Sequence, residues 1–471
     1  MSKGEVGVIA GFMHFLSTII TLLAVSYFGI LSMKKVQTSQ DFSVGSRKLN
    51  RYQISGSILG TVVGGASTIG TAQLAFQRGF NAMWFTLGSA AACLLLGFLI
   101  AGPLQRAQVD TIPEFLSQSY GEKAGFAASI ITSFAIFIHV IGQILSSTAI
   151  FTSMFHVSTA IALLVTIGFI LSYIFYGGFL GTSRIGIIKT FLLYFALIMS
   201  GMAVYLHFNG VEGMLHAFPD RQWFNLFSGG IFAGAAQGFS MVIGIVSTQT
   251  YLQAMFAGKD EKESQKGAFI AALLIPPVGL LSTVIGMYMR VAHPETIPKQ
   301  ALIVFILKYL HPVVGGVAIA ALIISVLGTA SGLILGIATM ITRDIYSKKI
   351  NSCADDRQQL AFFRYCILGI SVISGCFVWG NADSLILEWG FLSMALRGTT
   401  VFIPLLGVIF YKKRISAEGG LKAILVAPIL ALMWGIYGIK TVDPLYVGVL
   451  ASIGIMMGYS VKEKKKSFPA S

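Results

Sequence analysis

Thirteen apolar stretches, each long enough to cross a bilayer as a helix, decide what this chain can fold into. They run at about 7–32, 53–77, 81–104, 124–154, 157–176, 185–206, 229–256, 267–291, 313–342, 360–380, 385–411, 420–438 and 443–460. A spanning helix needs about 20 predominantly apolar residues. In hydrocarbon the backbone must also satisfy its own polar groups, which a helix does and an open strand does not. The expected fold class is an all-α polytopic membrane protein of about 13 transmembrane helices, in one integral domain over 1-471. Composition agrees: only 11% of residues are charged, against about 25% in a soluble domain. The first stretch is longer than a signal-peptide core and lacks a small-residue cleavage site, so it is expected to be retained.

The net charge of +14 sits in short loops between apolar stretches and reads as a topology signal rather than a nucleic-acid surface. With the N-terminus outside, the inside loops hold 24 Lys and Arg and the outside loops 7, while Lys189 and Arg397 lie within stretches. The bias predicts a multi-pass protein of the cell (cytoplasmic, inner) membrane, N-terminus out and C-terminus in the cytoplasm. The run Lys462 to Lys466 is expected to lie on anionic membrane lipid. Cys93, Cys353, Cys366 and Cys376 form no metal-binding or redox spacing. No H-E-x-x-H, G-x-S-x-G, paired acidic metal motif or P-loop is present, so neither an enzyme nor ATP coupling is expected.

Two stretches do not read as plain rods. The second carries Gly60, Gly64, Gly65 and Gly70 around Ala66-Ser67-Thr68-Ile69, and the seventh carries Ser228-Gly229-Gly230, Gly234, Gly238 and Gly244. Glycine weakens a helix and lets backbone groups turn toward a cavity; alternatively it lets helices pack closely. Interrupted helices at matching places in two halves mark a transporter's midplane site. The halves would be a first inverted repeat over 53-206 and a second over 229-411, with two extra helices over 412-461.

Six motifs, in this order, carry a family resemblance: Asp41-Phe42-Ser43-Val44-Gly45-Ser46-Arg47-Lys48-Leu49; Gly65-Ala66-Ser67-Thr68-Ile69; Thr111-Ile112-Pro113-Glu114-Phe115; Tyr176-Gly177-Gly178; the segment from Gln249 to Ala257 followed by Gly258-Lys259-Asp260; and Thr342-Arg343-Asp344-Ile345-Tyr346. Together the chain resembles the sodium:solute symporter family over about residues 40–350. The resemblance implies a five-plus-five inverted-repeat (LeuT-like) core with flanking helices. It also implies secondary active symport of a small organic solute with Na+ by alternating access. In the family the main sodium site takes carbonyls from the first core helix and from the helix ending before Asp-Ile-Tyr, plus two adjacent hydroxyls. Carried over, its ligands are Ala66, Ile69, Ser325 and Thr329.

Two departures bear on that site. The other hydroxyl position is Gly328, which has no side-chain oxygen. After Tyr-Gly-Gly the family carries Thr-Asp and then Gln three residues on; here these are Ile185, Gly186 and Lys189. Lys189 is therefore a coupling candidate, as a fixed cation or a proton carrier in place of the ion. The blander alternative is that it snorkels to the nearby cytoplasmic surface. Proton-coupled or sodium-independent transport stays open, as does a transport-like solute sensor acting through a partner. No cofactor beyond Na+ or H+, no obligatory protein partner and no nucleic acid is expected.

The solute site is expected beside the unwound segments: Thr68, Thr71 and Gln73; His139, Gln143 and Ser146; and Gln237 and Ser240. His139, Gln143 and Ser146 share a helix face at i, i+4 and i+7, and His139 matches a position where family members contact solute. Phe76, Trp84 and Phe85 read as packing or interfacial residues. Ala90-Ala91-Ala92-Cys93-Leu94-Leu95 argues against a sugar, because it lacks the polar groups that sugar-transporting members carry there. Thr68 stands where proline-transporting relatives carry Asp. A small carboxylate or a weakly polar amide-like solute remains, and His139, if protonated, would meet an anion. Arg397 is expected to bond carbonyls or a neighbouring helix. Glu114 and Arg343-Asp344 are expected to form cytoplasmic caps and gates.

Overall fold

A computed structural model describes residues 11–33, 42–43, 47–155, 157–174, 178–381, 386–411, 415–438 and 442–466. The motif positions Asp41, Val44, Gly45, Ser46, Tyr176 and Gly177 lie outside them, as do the loop cations Lys3, Lys34, Lys35, Lys412, Lys413, Arg414 and Lys440.

Among the described residues each apolar stretch falls on a helix. They are α1 (Phe12–Met33), α2 (Arg51–Val62, then Thr71–Arg78), α3 (Trp84–Leu95, continued by Ala101–Ala107) and α4 (Glu122–Phe155). Next come α5 (Thr159–Ile174), α6 (Gly178–His207), α7 (Ile231–Val246, then Gln249–Phe256) and α8 (Glu261–Ala292). Then follow α9 (Pro312–Met340), α10 (Asp356–Gly380), α11 (Ile386–Phe410), α12 (Ala417–Tyr437) and α13 (Pro444–Lys466). Among the described residues eight helices are long and apolar enough to cross a membrane, or up to nine if the bent pair in α7 is one span. Large side chains such as Phe191, Leu164 and Leu273 project unburied from the outer faces. Lipid, not water, is the solvent that tolerates such a surface.

Local chemistry sets the helix starts. The Asn50 side chain accepts from the Gln53 amide while the Gln53 side chain accepts from Asn50, a reciprocal cap on α2. Asp355 and Gln358 repeat the device on α10, and Asp260 caps α8. α2 is interrupted at Val63-Gly64-Gly65, where the helix gives way to a π-helical turn over Ala66–Gly70. α7 bends by 47° between its halves, at Ser247-Thr248 rather than at its glycines. Gly234, Gly238 and Gly244, the glycines inside the helix, pack instead: a Cβ at Gly238 would lie 2.7 Å from the Trp84 ring, and one at Gly244 would meet Met394. In α7, therefore, close packing is the correct reading of the glycine pattern.

The packing has a regular form. α2 lies against α6 and α8, and α7 lies against α11 and α3. α4 packs on α11 and α9 on α6, while α3 also meets α8 and α4 meets α9. Exchanging each helix of α2–α6 for the one five places later leaves these pairs unchanged. α9 is the most buried of the candidate spans and forms the central post.

At the α2–α6 crossing the backbones touch, because a Cβ on Gly186 would drive into the Gly56 carbonyl oxygen. Gly186→Ala is therefore expected to destabilise the protein by about 1–3 kcal/mol, measured as a lower melting temperature in detergent. Gly168→Ala, where a Cβ meets nothing within 4 Å, is the control and should leave the melt unchanged. Equal melts for the two variants would contradict this contact.

Candidate transport site

A helix broken inside a membrane exposes backbone groups that hydrocarbon will not satisfy. At the α2 break four such groups find side-chain partners. The Gly64 N–H donates to Ser67 Oγ at 2.9 Å, and the Gly64 carbonyl accepts from Thr68 Oγ1 at 2.8 Å. The Gly65 N–H donates to Gln143 Oε1 at 2.9 Å. The Val63 carbonyl accepts from Ser325 Oγ at 2.9 Å. Glycine is required here: a Cβ on Gly64 would sit 2.7 Å from Thr329 Cβ and 2.8 Å from Gln143 Oε1, and one on Gly65 would strike Ser146.

On the other side of the break lies Lys189. It does not snorkel; it is 1% exposed. Its Nζ donates to Gly60 O at 2.6 Å, Ser325 O at 2.8 Å and Thr329 Oγ1 at 3.0 Å. An ammonium has three donors and no acceptor, so these bonds match its capacity. Carbonyl and hydroxyl oxygens at an unwound helix are also the ligand set sodium takes in transporters. Ser325 and Thr329, named from the family pattern as sodium ligands, thus surround an amine nitrogen. The α2 oxygen in the cage is that of Gly60. The Ala66 carbonyl accepts from Thr71 Oγ1 at 3.1 Å, and Ile69 is buried in the same π-helical turn. Gly186 is what brings α6 close enough to α2 for Lys189 to reach.

A second polar group runs from α11 to α4. The fully buried Arg397 donates through Nε to Ser393 O at 3.1 Å and through Nη1 to Thr248 Oγ1, at the bend of α7, at 2.7 Å. Its Nη2 lies 3.1 Å from His139 Nδ1 and 3.0 Å from Met394 Sδ. His139 Nε2 lies 3.2 Å from Gln143 Nε2. The expected α4 face is therefore real in part. His139 and Gln143 join one polar chain that ends on the α2 break, while Ser146 bonds its own helix at Gly142 O, at 2.9 Å. Gln73 and Gln237 line a separate cavity of about 80 Å³ with Gly70 and Leu387; Ser240 is buried on α7. Trp84 Nε1 donates to Leu226 O at 2.8 Å and Phe85 packs on Phe391, both as structural residues.

The helix ends nearest the basic loops are tied by ion pairs. Arg47 meets Asp110 at 2.8 Å, Lys348 meets Glu114 at 3.1 Å, and Thr111 Oγ1 donates to Asp344 at 2.9 Å. Arg343 lies 3.7 Å from Asp110. Glu114, Arg343 and Asp344 thus work across helices, as caps and ties.

The sequence marks Gly60 only as one of the helix-weakening glycines, and it does not mark Val63 or Thr248 at all. The first two act through carbonyls, which leave no side-chain signature, and Thr248 shows only once α7 bends.

Two helices interrupted beside buried polar groups, in an all-helical membrane protein, define a secondary-transporter core. The chain belongs to the sodium:solute symporter family, whose model matches residues 42–427. It is similar to the high-affinity proline transporter PutP of Bacillus subtilis (strain 168), 23% identical over 446 residues, covering 89% of this chain and 91% of that protein. It is also similar to sodium/proline symporter 2 of Staphylococcus saprophyticus, 21% identical over 88% of this chain and 83% of that protein. Its fold matches a Na+-coupled sialic acid symporter in a substrate-bound outward-open state, with TM-score 0.80, 17% identity, and 98% and 99% of the two chains covered. A closed nucleobase-cation-symport-1 family transporter follows at TM-score 0.58 and 13% identity, over 90% of this chain and 95% of that one. The protein is a membrane transporter of the symporter class, not an enzyme.

Thr329→Val keeps the shape and removes one of the three acceptors of Lys189. It is expected to cost about 1–3 kcal/mol, read as a lower melting temperature. An unchanged melt would contradict Thr329 as a partner of the ammonium.

Proposed function

We propose that this chain carries a small organic solute across the cell membrane by alternating access, with the Lys189 ammonium standing in the cation site that family membership implies. One observation carries the reading: the Nζ is held by Gly60 O, Ser325 O and Thr329 Oγ1, so sodium and the ammonium compete for the same oxygens. Protonated, Lys189 clamps α2, α6 and α9 together. Losing the proton removes the charge and one donor, and the clamp loosens. Transport would then couple to protonation of Lys189, with sodium binding there as the family's alternative.

The helix pairing supports reading α2–α6 and α7–α11 as inverted repeats, 53-206 and 229-411, with α1 flanking them and α12 and α13 added over 412-461. On that reading the chain crosses thirteen times. The excess of Lys and Arg on one side supports an outside N-terminus and a cytoplasmic C-terminus.

The test needs no solute. Melting temperatures of the wild type in sodium and potassium buffers of equal ionic strength should coincide, because the ammonium already fills the cage. Lys189→Ala vacates three oxygens, so it should melt lower and gain a sodium-specific stabilisation that grows with concentration. A sodium-specific shift in the wild type, or none in Lys189→Ala, would overturn the reading.

A further inference from the structure

Arg397 is fully buried, and its bonded neighbours are neutral: Ser393 O, Thr248 Oγ1, His139 Nδ1 and Met394 Sδ. The Tyr251 phenol lies beside it. No carboxylate pairs with it among the described residues. A lysine in that position has a way out, since an amine can release its proton. A guanidinium keeps its charge, and a buried charge left without a counter-charge is costly.

The hydrogen-bond chain beyond Arg397 contains a second, independent defect. It reads Arg397 Nη2, His139 Nδ1, His139 Nε2, Gln143 amide, Gly65 N–H. Both ends are obligate donors. A neutral imidazole has one donor and one acceptor, and a carboxamide passes a bond on in one direction. If Arg397 donates to Nδ1, the Nε2–H must find the Gln143 oxygen, and the Gln143 NH2 then faces the Gly65 N–H. If Gly65 donates to Gln143 Oε1, the NH2 serves Nε2, and the Nδ1–H then faces Arg397. Protonating the imidazole only adds a donor. Every assignment leaves one donor against another, so the chain lacks a single acceptor.

We propose that a carboxylate group of the transported solute is that acceptor, seated between Arg397 and His139. The inference rests on the transporter reading above. A carboxylate is acceptor-only, and its hydrogen bond with a guanidinium is charge-assisted. Once Arg397 Nη2 and His139 Nδ1, 3.1 Å apart here, separate to admit it, it takes bonds from Arg397 Nη2 and from the His139 Nδ1–H. Nε2 then accepts from the Gln143 NH2, and Gln143 Oε1 accepts from the Gly65 N–H. Every member is satisfied, and the guanidinium gains its counter-charge. Only one permanent cation needs neutralising, so the solute carries a single carboxylate. An amide brings its own N–H donors and balances no charge. Arg397, His139 and Thr248 come from α11, α4 and the bend of α7, so the guest would tie these helices together. Through Gln143 it would also reach the α2 break.

Purified full-length protein should be melted against acetate, propionate, pyruvate, lactate and hexanoate, each beside its amide. At least one acid should raise the melting temperature in a saturable way while its amide does not. Arg397→Gln should lose that shift. His139→Glu builds the missing carboxylate into the chain: without ligand it should melt higher than wild type, and it should no longer respond to the acid. Because this variant is expected to gain stability, a misfolded Arg397→Gln cannot hide the answer. Amides that stabilise as well as acids, no response to any acid, or a His139→Glu that melts lower and still responds would overturn the assignment. Uptake of the stabilising solute into proteoliposomes separates the two readings. A stabilising amide that is taken up keeps the transporter and removes the carboxylate site. An acid that stabilises but never crosses keeps the site and removes the transporter.

Discussion

The bond between the Lys189 ammonium and the Gly60 carbonyl is what permits a helix to be broken in the middle of this fold. A chain in hydrocarbon gains nothing by unwinding unless other groups adopt its freed carbonyls and amides. Here the adopters come from α4, α6 and α9. Gln143 takes the Gly65 amide, Ser325 and Thr329 reach the Val63 carbonyl, and Lys189 closes the cage. The same glycines that allow the break also put Gln143, Ser146 and Thr329 against one joint. The cation cage and the polar chain to Arg397 therefore share a wall, so a change on one side of the joint is felt on the other.

Two buried cations differ in their chemistry. Lys189 lies on α6 and Arg397 on α11, helices five places apart that hold matching positions in the packing. Each reaches into an interrupted helix, Lys189 at the unwound segment of α2 and Arg397 at the bend of α7. An amine can exchange its charge for a proton, whereas a guanidinium needs an anion. That difference is the basis for proposing a moving proton at Lys189 and a moving carboxylate at Arg397. The ion pairs among Arg47, Asp110, Glu114, Arg343 and Lys348 hold the helix ends on the basic side while these interior sites stay enclosed.

Much of this was legible in the residues, for physical reasons. Apolar length marks the helices because lipid admits little else, and Gly64-Gly65 mark the α2 break because no Cβ fits there. His139 and Gln143 fall on one face by helical spacing alone. Arg397 bonds Ser393 O and a neighbouring helix, as a charge set inside an apolar stretch must. Less could be read of Lys189, whose position one turn inside a helix end suits snorkelling equally well. The close approach at Gly186 decides the matter, and that is a tertiary fact. The glycines of α7 look like those of α2, yet they serve packing, while the bend falls on Ser247-Thr248. Carbonyl contributions from Gly60 and Val63 are silent in any sequence, since every residue has the group.

The proposed occupant of the cage at the α2 break is an amine nitrogen, not a metal ion. An experimental structure determined in saturating sodium, at a resolution that separates ions from side chains, addresses it most directly. Lys189 Nζ is expected within hydrogen-bond distance of Gly60 O, Ser325 O and Thr329 Oγ1, with no ion among them. A sodium ion held by those oxygens, with the Lys189 side chain turned away, would contradict it.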